Sequence, residues 1–469
     1  MTWPQTKPQW ALGPRATARA QTRPTAAAPG IDALLLTAFL VDLVTPFLIW
    51  KGLLPDVVRW LSHGALAGMM VLAVAQMMQQ DRVPGSVLFI LSLSAIGGAV
   101  GYLHGQGITA TAWGWWVMFQ YPMVGLYAYT RDAWPEDWGQ TVRRGLIAAL
   151  VAVVIVQIGQ FLTGETPGDH LAGLFGRHGT ANLMLFIALM VSMGLGMWLA
   201  NGEWKTLAAI LMLSMIASVL GEIKMFLPTV LALGLLAATI YSWRHRRLGR
   251  LFLYVLALLL VAGLFVVAYD AVVSSTRNTR ALSEYLQLST LDRYLGTANR
   301  TIVDGRYVYE IGRNYALVYG WREISRDPFT MLFGMGLGAR GESRTLGSSG
   351  AGLSGGPLGL SVGTSMLVMM QELGVVGMLV MGGFLIWAGW TLYADTRRYP
   401  DSDLLWLRYA LLMFTVLWPV WLWYTTSWTI RVAMLVYWAL LGYALAEPRL
   451  ARPPAVSLLS VRAEVHRDR

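Results

Sequence analysis

The stretch GRHGTANLM, residues 176–184, sets Arg177 and His178 side by side at the mouth of a long apolar run. A guanidinium suits a phosphate or diphosphate, because its planar fork gives two parallel charge-assisted hydrogen bonds. An adjacent imidazole is an acid–base group that works near neutral pH. A second charged pair, Glu222 and Lys224, sits in LGEIKMFLP (220–228), between two apolar runs with almost no loop to keep it in water. Ionisable groups at membrane depth are costly and are usually paired or functional. Further on, Arg306, Glu310 and Arg313 recur at i, i+4 and i+7, a spacing that a helix would place on one face. Arg322 and Arg326 follow, one turn apart. Each feature also has a plain structural role: Arg177 as an interface anchor, the loop triad as a solvated ion-pair ladder, Glu222 and Lys224 as mutual counter-ions.

Other chemistries are absent from the sequence. There is no HExxH, GxSxG, phosphate-binding GK[ST] or Cys/His metal spacing, and no cysteine at all. Thiolate catalysis, disulfides and Cys-ligated metals are therefore excluded, and neither a metal nor a cofactor is expected.

The elements that must carry these residues follow from composition. Of 469 residues, 56% are hydrophobic and only 13% charged. Runs of about 18–23 apolar residues are long enough to cross a bilayer. The expected fold is an all-α polytopic membrane protein. Twelve spans are expected at roughly 32–50, 57–78, 86–103, 111–130, 144–163, 180–200, 205–220, 223–241, 250–271, 362–392, 404–424 and 428–446. The tenth is unusually long and is expected to begin in the interface or to break near Gly363. This divides the chain into a basic disordered tail (1–31), nine spans (32–271), one long connection (272–361), three spans (362–446) and a second tail (447–469). The first tail lacks the apolar core of a secretory signal peptide. The net charge of +10 is read as topology and lipid contact, not as nucleic-acid binding.

Lys and Arg set the orientation. With the N-terminal tail inside, Arg244, Arg246, Arg247 and Arg250 fall on one inner connection, while the short opposite loops carry few basic residues: Lys51, Arg59, Arg177 and Lys224. The bias agrees along the chain, so both termini are expected on the cytoplasmic side. Arg177–His178 and the long connection then face outward. That connection is too long for an idle linker. Helical spacing is expected over about 303–326, with Ile311, Tyr315 and Val318 as its apolar stripe, and the Gly/Ser-rich part after it reads as a mobile lid. Its tyrosines, with Trp321, offer faces for sugar rings.

Three motifs now resemble one family. GRHGTANLM, GWREISRDPFTMLFGMGLG (320–338) and TSMLVMMQELGVVGMLV (364–380) are similar to elements of the O-antigen ligase/polymerase (WaaL and Wzy) superfamily, in their order and sidedness. The resemblance implies a GT-C-like, metal-independent, inverting glycosyltransferase of a bacterial inner (cytoplasmic) membrane. It implies a polyprenyl-diphosphate-linked glycan as donor and a lipid-linked repeat unit as acceptor. Membrane lipid, a chain-length regulator and a flippase are the implied partners. Carried over by position, Arg177 and Arg322 hold the diphosphate, with Arg313, Arg306 and Lys224 as further cations. His178, Glu310 and Glu222 are the nominees for the base. Ligases of the family carry a His where this chain has Thr364 and Ser365, which moves the expectation from ligase to polymerase. The alternatives are an O-antigen ligase acting on lipid A core and a lipid-linked oligosaccharide flippase. A flippase of twelve spans would show repeat symmetry between its halves, and none is visible.

Overall fold

The computed structural model describes residues 29–450, except 80–84, 132–133, 136, 169, 246–247, 277–280, 286, 288, 291–295, 297, 304–305, 341, 344–347 and 350–363; for some others, 298–303 and 306–311 among them, it describes the backbone alone. Most of both expected tails, and the greater part of the expected lid, lie outside the described residues.

The protein is an all-α polytopic membrane protein. In a bilayer every backbone N–H and C=O must be satisfied within the segment, so each apolar run becomes a helix. The runs give α1 (Pro29–Trp50), α2 (Trp60–Gln79), α3 (Gly85–Leu103), α4 (Ile108–Thr130), α5 (Trp138–Leu162), α6 (Thr180–Asn201), α7 (Trp204–Leu220), α8 (Phe226–His245) and α9 (Leu248–Thr276). The long connection carries α10 (Leu282–Tyr285), strands β1 (Ala298–Val303) and β2 (Arg306–Ile311), α11 (Arg313–Ile324) and α12 (Pro328–Phe333), then the two-residue strands β3 (Glu342–Ser343) and β4 (Ser348–Ser349). The chain ends in α13 (Ser365–Arg398), α14 (Leu405–Val416), α15 (Trp418–Tyr424) and α16 (Arg431–Leu450).

Among the described residues, eight helices are long and apolar enough to cross a membrane, and α14 with α15, bent by 47°, makes a ninth. The other segments expected to span are helical too, but α7 and the stretch Arg431–Ala446 of α16 are too short for that test. Helix α6 is the hub: 89% of its apolar window is buried, against 6% for α9, which runs along the rim. Around α6 stand α7, α8, α14 and α16. On the far side, α16 packs along α4, and α4 along α2.

Three expectations need correction. Residues 306–311 form a strand, not the first turns of a helix, and β2 pairs antiparallel with β1 from Ala298↔Ile311 to Val303↔Arg306. RYVYEI is β-branched and aromatic, and Asp304–Gly305 between the strands is a strong hairpin signal in sequence. Arg306, Glu310 and Arg313 therefore share no helix face. The buried stripe of α11 is Ala316, Gly320 and Ile324, while Val318 is 49% exposed.

The long span breaks at Gly374 (φ 62°), inside α13; Gly363, near which a break was expected, lies outside the described residues. The break receives the first glycines of the expected lid. Gly334, Gly336 and Gly338 all have positive φ and are buried, forming a wedge between α3, α4 and α13. Met335 N donates to Gln371 O at 2.7 Å, Gly336 N to Glu372 O at 3.1 Å, and Leu337 N to Gly97 O at 3.0 Å. The buried Glu372 carboxylate accepts from Arg340 N at 3.0 Å, and Gln371 donates to Glu323 on α11. This stretch is a packed joint that fixes the outer helices to the bundle.

Asp327 caps α12, accepting from Thr330 N at 2.7 Å and Thr330 Oγ1 at 2.9 Å. The Thr330 backbone hydrogen bond holds its carboxyl below the ordinary carboxylate range. The capping support is therefore complete above the unfolded-state pKa and is lost as pH falls through the lowered folded value. The protection factor of the Thr330 amide, its slowing relative to intrinsic exchange, is expected to fall in Asp327→Ala at neutral pH and in wild type only in acid. Identical exchange in the two proteins at neutral pH would refute the cap.

Candidate functional site

Four segments meet at one end of the bundle. The first is the connection from α5 to α6, which two glutamines of α5 pin down. Gln157 Nε2 donates to Leu171 O at 2.6 Å and to Ala217 O at 3.2 Å, and Gln160 Oε1 accepts from Gly173 N at 3.2 Å. Gly176 (φ 72°) lies so close to α1 that a Cβ there would stand 2.6 Å from Pro46 O. This close approach fixes where Arg177 and His178 emerge.

The second segment is the link from α7 to α8, short as expected. Ile223 N turns back to Ser218 O at 2.8 Å, closing the end of α7. Within that turn Glu222 takes φ 50°. Across from it, His178 takes φ 64°. Among the described residues these are the two non-glycine positions with positive φ, and both line the same cavity. Such a conformation costs roughly 1–2 kcal/mol per residue and tends to cluster at functional sites.

The third and fourth segments are the first residue of α11 and the turn after α15. Arg313 Nε donates to Tyr424 O at 3.1 Å, and its guanidinium lies 4.4 Å from the centre of the Tyr424 ring. The plane of the fork is thus set by backbone and ring together.

The cavity between these segments measures about 450 Å³, a size usual for a small-ligand site. His170, His178, Glu222, Lys224 and Arg313 line it, with Thr425 beside them. Lys224 Nζ lies 3.9 Å from the centre of the Tyr285 ring, which holds the ammonium at the wall. One guanidinium and one ammonium face one carboxylate, so the cavity favours an anion. The imidazoles of His170 and His178 meet edge to face at 5.5 Å.

Four expected site residues, His178, Glu222, Lys224 and Arg313, come together here from three separate parts of the chain. Arg177 stands just outside: its Nε donates to His170 Nδ1 at 3.0 Å. That nitrogen accepts, so the ring proton of His170 sits on Nε2. Arg322 does not join the cavity. It follows Arg313 by nine residues, about two and a half turns, which puts it on the opposite face of α11 and roughly 13 Å along. It is exposed there. Arg306 and Glu310 lie on β2, and their side chains are outside the described residues.

No family model matches the chain, and no curated protein matches it. The site therefore has to be read from its own geometry.

Sequence reasoning missed His170, Tyr424 and Thr425. His170 lies only seven residues before Arg177, in a connection rich in glycine, and its polarity was a usable signal. Tyr424 and Thr425 end an apolar run and carry none. Thr364 and Ser365 have structural duties. Thr364 Oγ1 accepts from Leu367 N at 3.2 Å as the cap of α13, and Ser365 Oγ accepts from Trp428 N at 2.8 Å.

Proposed function

We propose that the protein is a metal-independent, inverting glycosyltransferase that polymerises polyprenyl-diphosphate-linked repeat units at the outer face of a bacterial cytoplasmic membrane. In this reading all twelve apolar segments cross, both termini are cytoplasmic, and the cavity opens outward. One observation carries it: the cluster of Arg313, Lys224, His178, His170 and Glu222 around a polar cavity at one end of an apolar bundle. A substrate with a diphosphate at the bilayer surface and its tail in lipid matches such a cavity.

The chemistry follows from the residues. An acceptor hydroxyl oxygen forms a bond to the anomeric carbon of the donor as the bond from that carbon to the diphosphate oxygen breaks. The hydroxyl proton passes to His178 or to the Glu222 carboxylate; His170 also faces the cavity, but its accepting nitrogen is occupied by Arg177. The diphosphate leaves as an anion, and Arg313 and Lys224 stabilise the charge as it develops. Arg177 acts beside them, orienting His170 through Nε.

The test uses purified protein in nanodiscs with lipid-linked repeat units from the source organism, and the products are separated on a gel. Wild type is expected to build a ladder of repeat lengths. Whichever of His178→Ala and Glu222→Gln removes the base is expected to lose it, or to slow it by a factor of about 10²–10⁴. A full ladder from both variants would remove the two bases from the reaction. A blank wild-type lane, with native donor present, would end the polymerase reading.

A further inference from the structure

A second polar group lies at the same end of the bundle, on the other side of α1. The ends match because Lys51, just past α1, pairs with Glu165 of the α5–α6 connection at 3.3 Å. Asp42, in the middle of α1, has a side chain only 1% exposed. Arg431, at the start of α16, reaches towards it, with Nη1 3.6 Å from Oδ1. Ser62 approaches from α2, yet neither carboxylate oxygen completes a hydrogen bond among the described residues. Four residues on, Pro46 has no N–H to give to the Asp42 carbonyl. A carboxylate in this position, in an apolar helix, is expensive and needs a reason.

A cluster of rings adjoins it along α2, where His63 follows Ser62. Trp60 and His63 of α2 face Trp113 and Trp116 of α4, with centroids 5.8–6.5 Å apart and planes tilted by 50–59°. Trp116 Nε1 donates to His63 Nδ1 at 3.0 Å. The proton of His63 therefore sits on Nε2, as a donor. The side chains of Arg59 and Arg431 are 40% and 37% exposed.

An interfacial tryptophan belt would explain Trp60 alone. It does not explain why an indole N–H turns inward to an imidazole, or why a buried acid holds an arginine beside it. A sugar ring needs both features. Its C–H face packs on an aromatic plane, and the hydroxyls at its rim need donors and acceptors in fixed directions.

We propose that Trp60, Trp113, His63 and Arg431, the last held in place by Asp42, form a second glycan subsite, separated from the polar cavity by α1. The subsite rests on the reading that this end of the protein handles a glycan. The ligand is a pyranose ring with free hydroxyls, from the acceptor repeat unit or from the growing chain on the donor.

The full chain in nanodiscs is titrated with free oligosaccharide released by mild acid from the lipid-linked repeat unit, with binding read by tryptophan fluorescence and saturation-transfer NMR. Wild type is expected to saturate. Trp60→Ala is expected to bind roughly tenfold more weakly, the scale of an aromatic anchor. Because Trp60 is 42% exposed, the variant should fold. Trp60→Phe should recover most of the affinity, and Arg322→Ala, outside both sites, should bind the free sugar as wild type does. Equal losses for single repeats and for long chains would assign the subsite to the acceptor; a loss only for long chains would assign it to the donor chain. No saturation by wild type, or unchanged binding by Trp60→Ala, overturns the subsite. Binding needs no turnover, so the two readings fail separately. Sugar bound at Trp60 without any ladder sinks the polymerase alone, and a ladder with no sugar bound at Trp60 sinks the subsite alone.

Discussion

Arg313→Ala is expected to lower glycan transfer by about 10²–10³-fold, the usual loss when one preorganised donor to a developing anion is removed. Arg313 is the cation whose direction is fixed twice, by the Tyr424 carbonyl at 3.1 Å and by the Tyr424 ring at 4.4 Å. A lysine there keeps the charge but not the planar fork, so Arg313→Lys should recover only a small part of the rate. Lys224→Ala should lose less, because an ammonium at the cavity wall acts as a point charge. Arg322→Ala should leave transfer near wild type, since Arg322 projects from the opposite face of α11. Rates of ladder formation at saturating donor, with thermal unfolding of each variant alongside, decide the matter. Equal losses at Arg313 and Arg322 would mean that the cavity is not where the diphosphate binds.

The second large effect falls on the fold. Gly336→Ala and Gly338→Ala are each expected to destabilise the bundle severely. A Cβ on Gly336 would stand 2.1 Å from Gly101 Cα, and one on Gly338 would stand 2.1 Å from Ala110 O. Both obstacles are backbone, which cannot rotate away. Both positions also have positive φ, at 89° and 84°. Overpacking costs about 1–3 kcal/mol and the left-handed conformation about 1–2 more. Together these take a large share of a stability of roughly 5–15 kcal/mol. Gly52→Ala separates the two effects, because Gly52 has φ 71° with nothing within 4 Å of a Cβ. It should lose only the conformational part. Fluorescence-detected size exclusion and thermal melts on the three variants test this; wild-type melts for Gly336→Ala and Gly338→Ala would show that the wedge is not packed as described.

The sequence by itself determined the helices. Their positions were legible because lipid offers no hydrogen bonds, so an apolar run long enough to span has to be helical. The sequence also determined which polar residues were out of place, and Glu222, Lys224 and His178 were singled out on that ground, whereas Arg313 was named for its spacing from Arg306 and Glu310 and for the family resemblance. Strand β2 was misread because charges at i, i+4 and i+7 can overlie an alternating YVYE pattern, and only the pairing with β1 settles the period. The run GMGLG was misread because glycine permits both a loose chain and the closest packing. Which one occurs depends on whether another backbone lies against it, here Gly101 and Ala110. Arg322 was misplaced for a related reason: a helix in a loop can turn any face to the bundle, and α11 turns Ala316, Gly320 and Ile324 inward.

Only the tertiary structure decided what those residues face. It brought His170 to Arg177, turned Arg313 onto Tyr424, and put Arg431 beside Asp42 from the far end of the chain. Such contacts cross between helices whose order in space is set by packing, and hydropathy carries no record of that order. The left-handed turns at His178 and Glu222 belong to the same class. Neither residue type asks for that conformation, and each is held in it by the helices that converge on its loop.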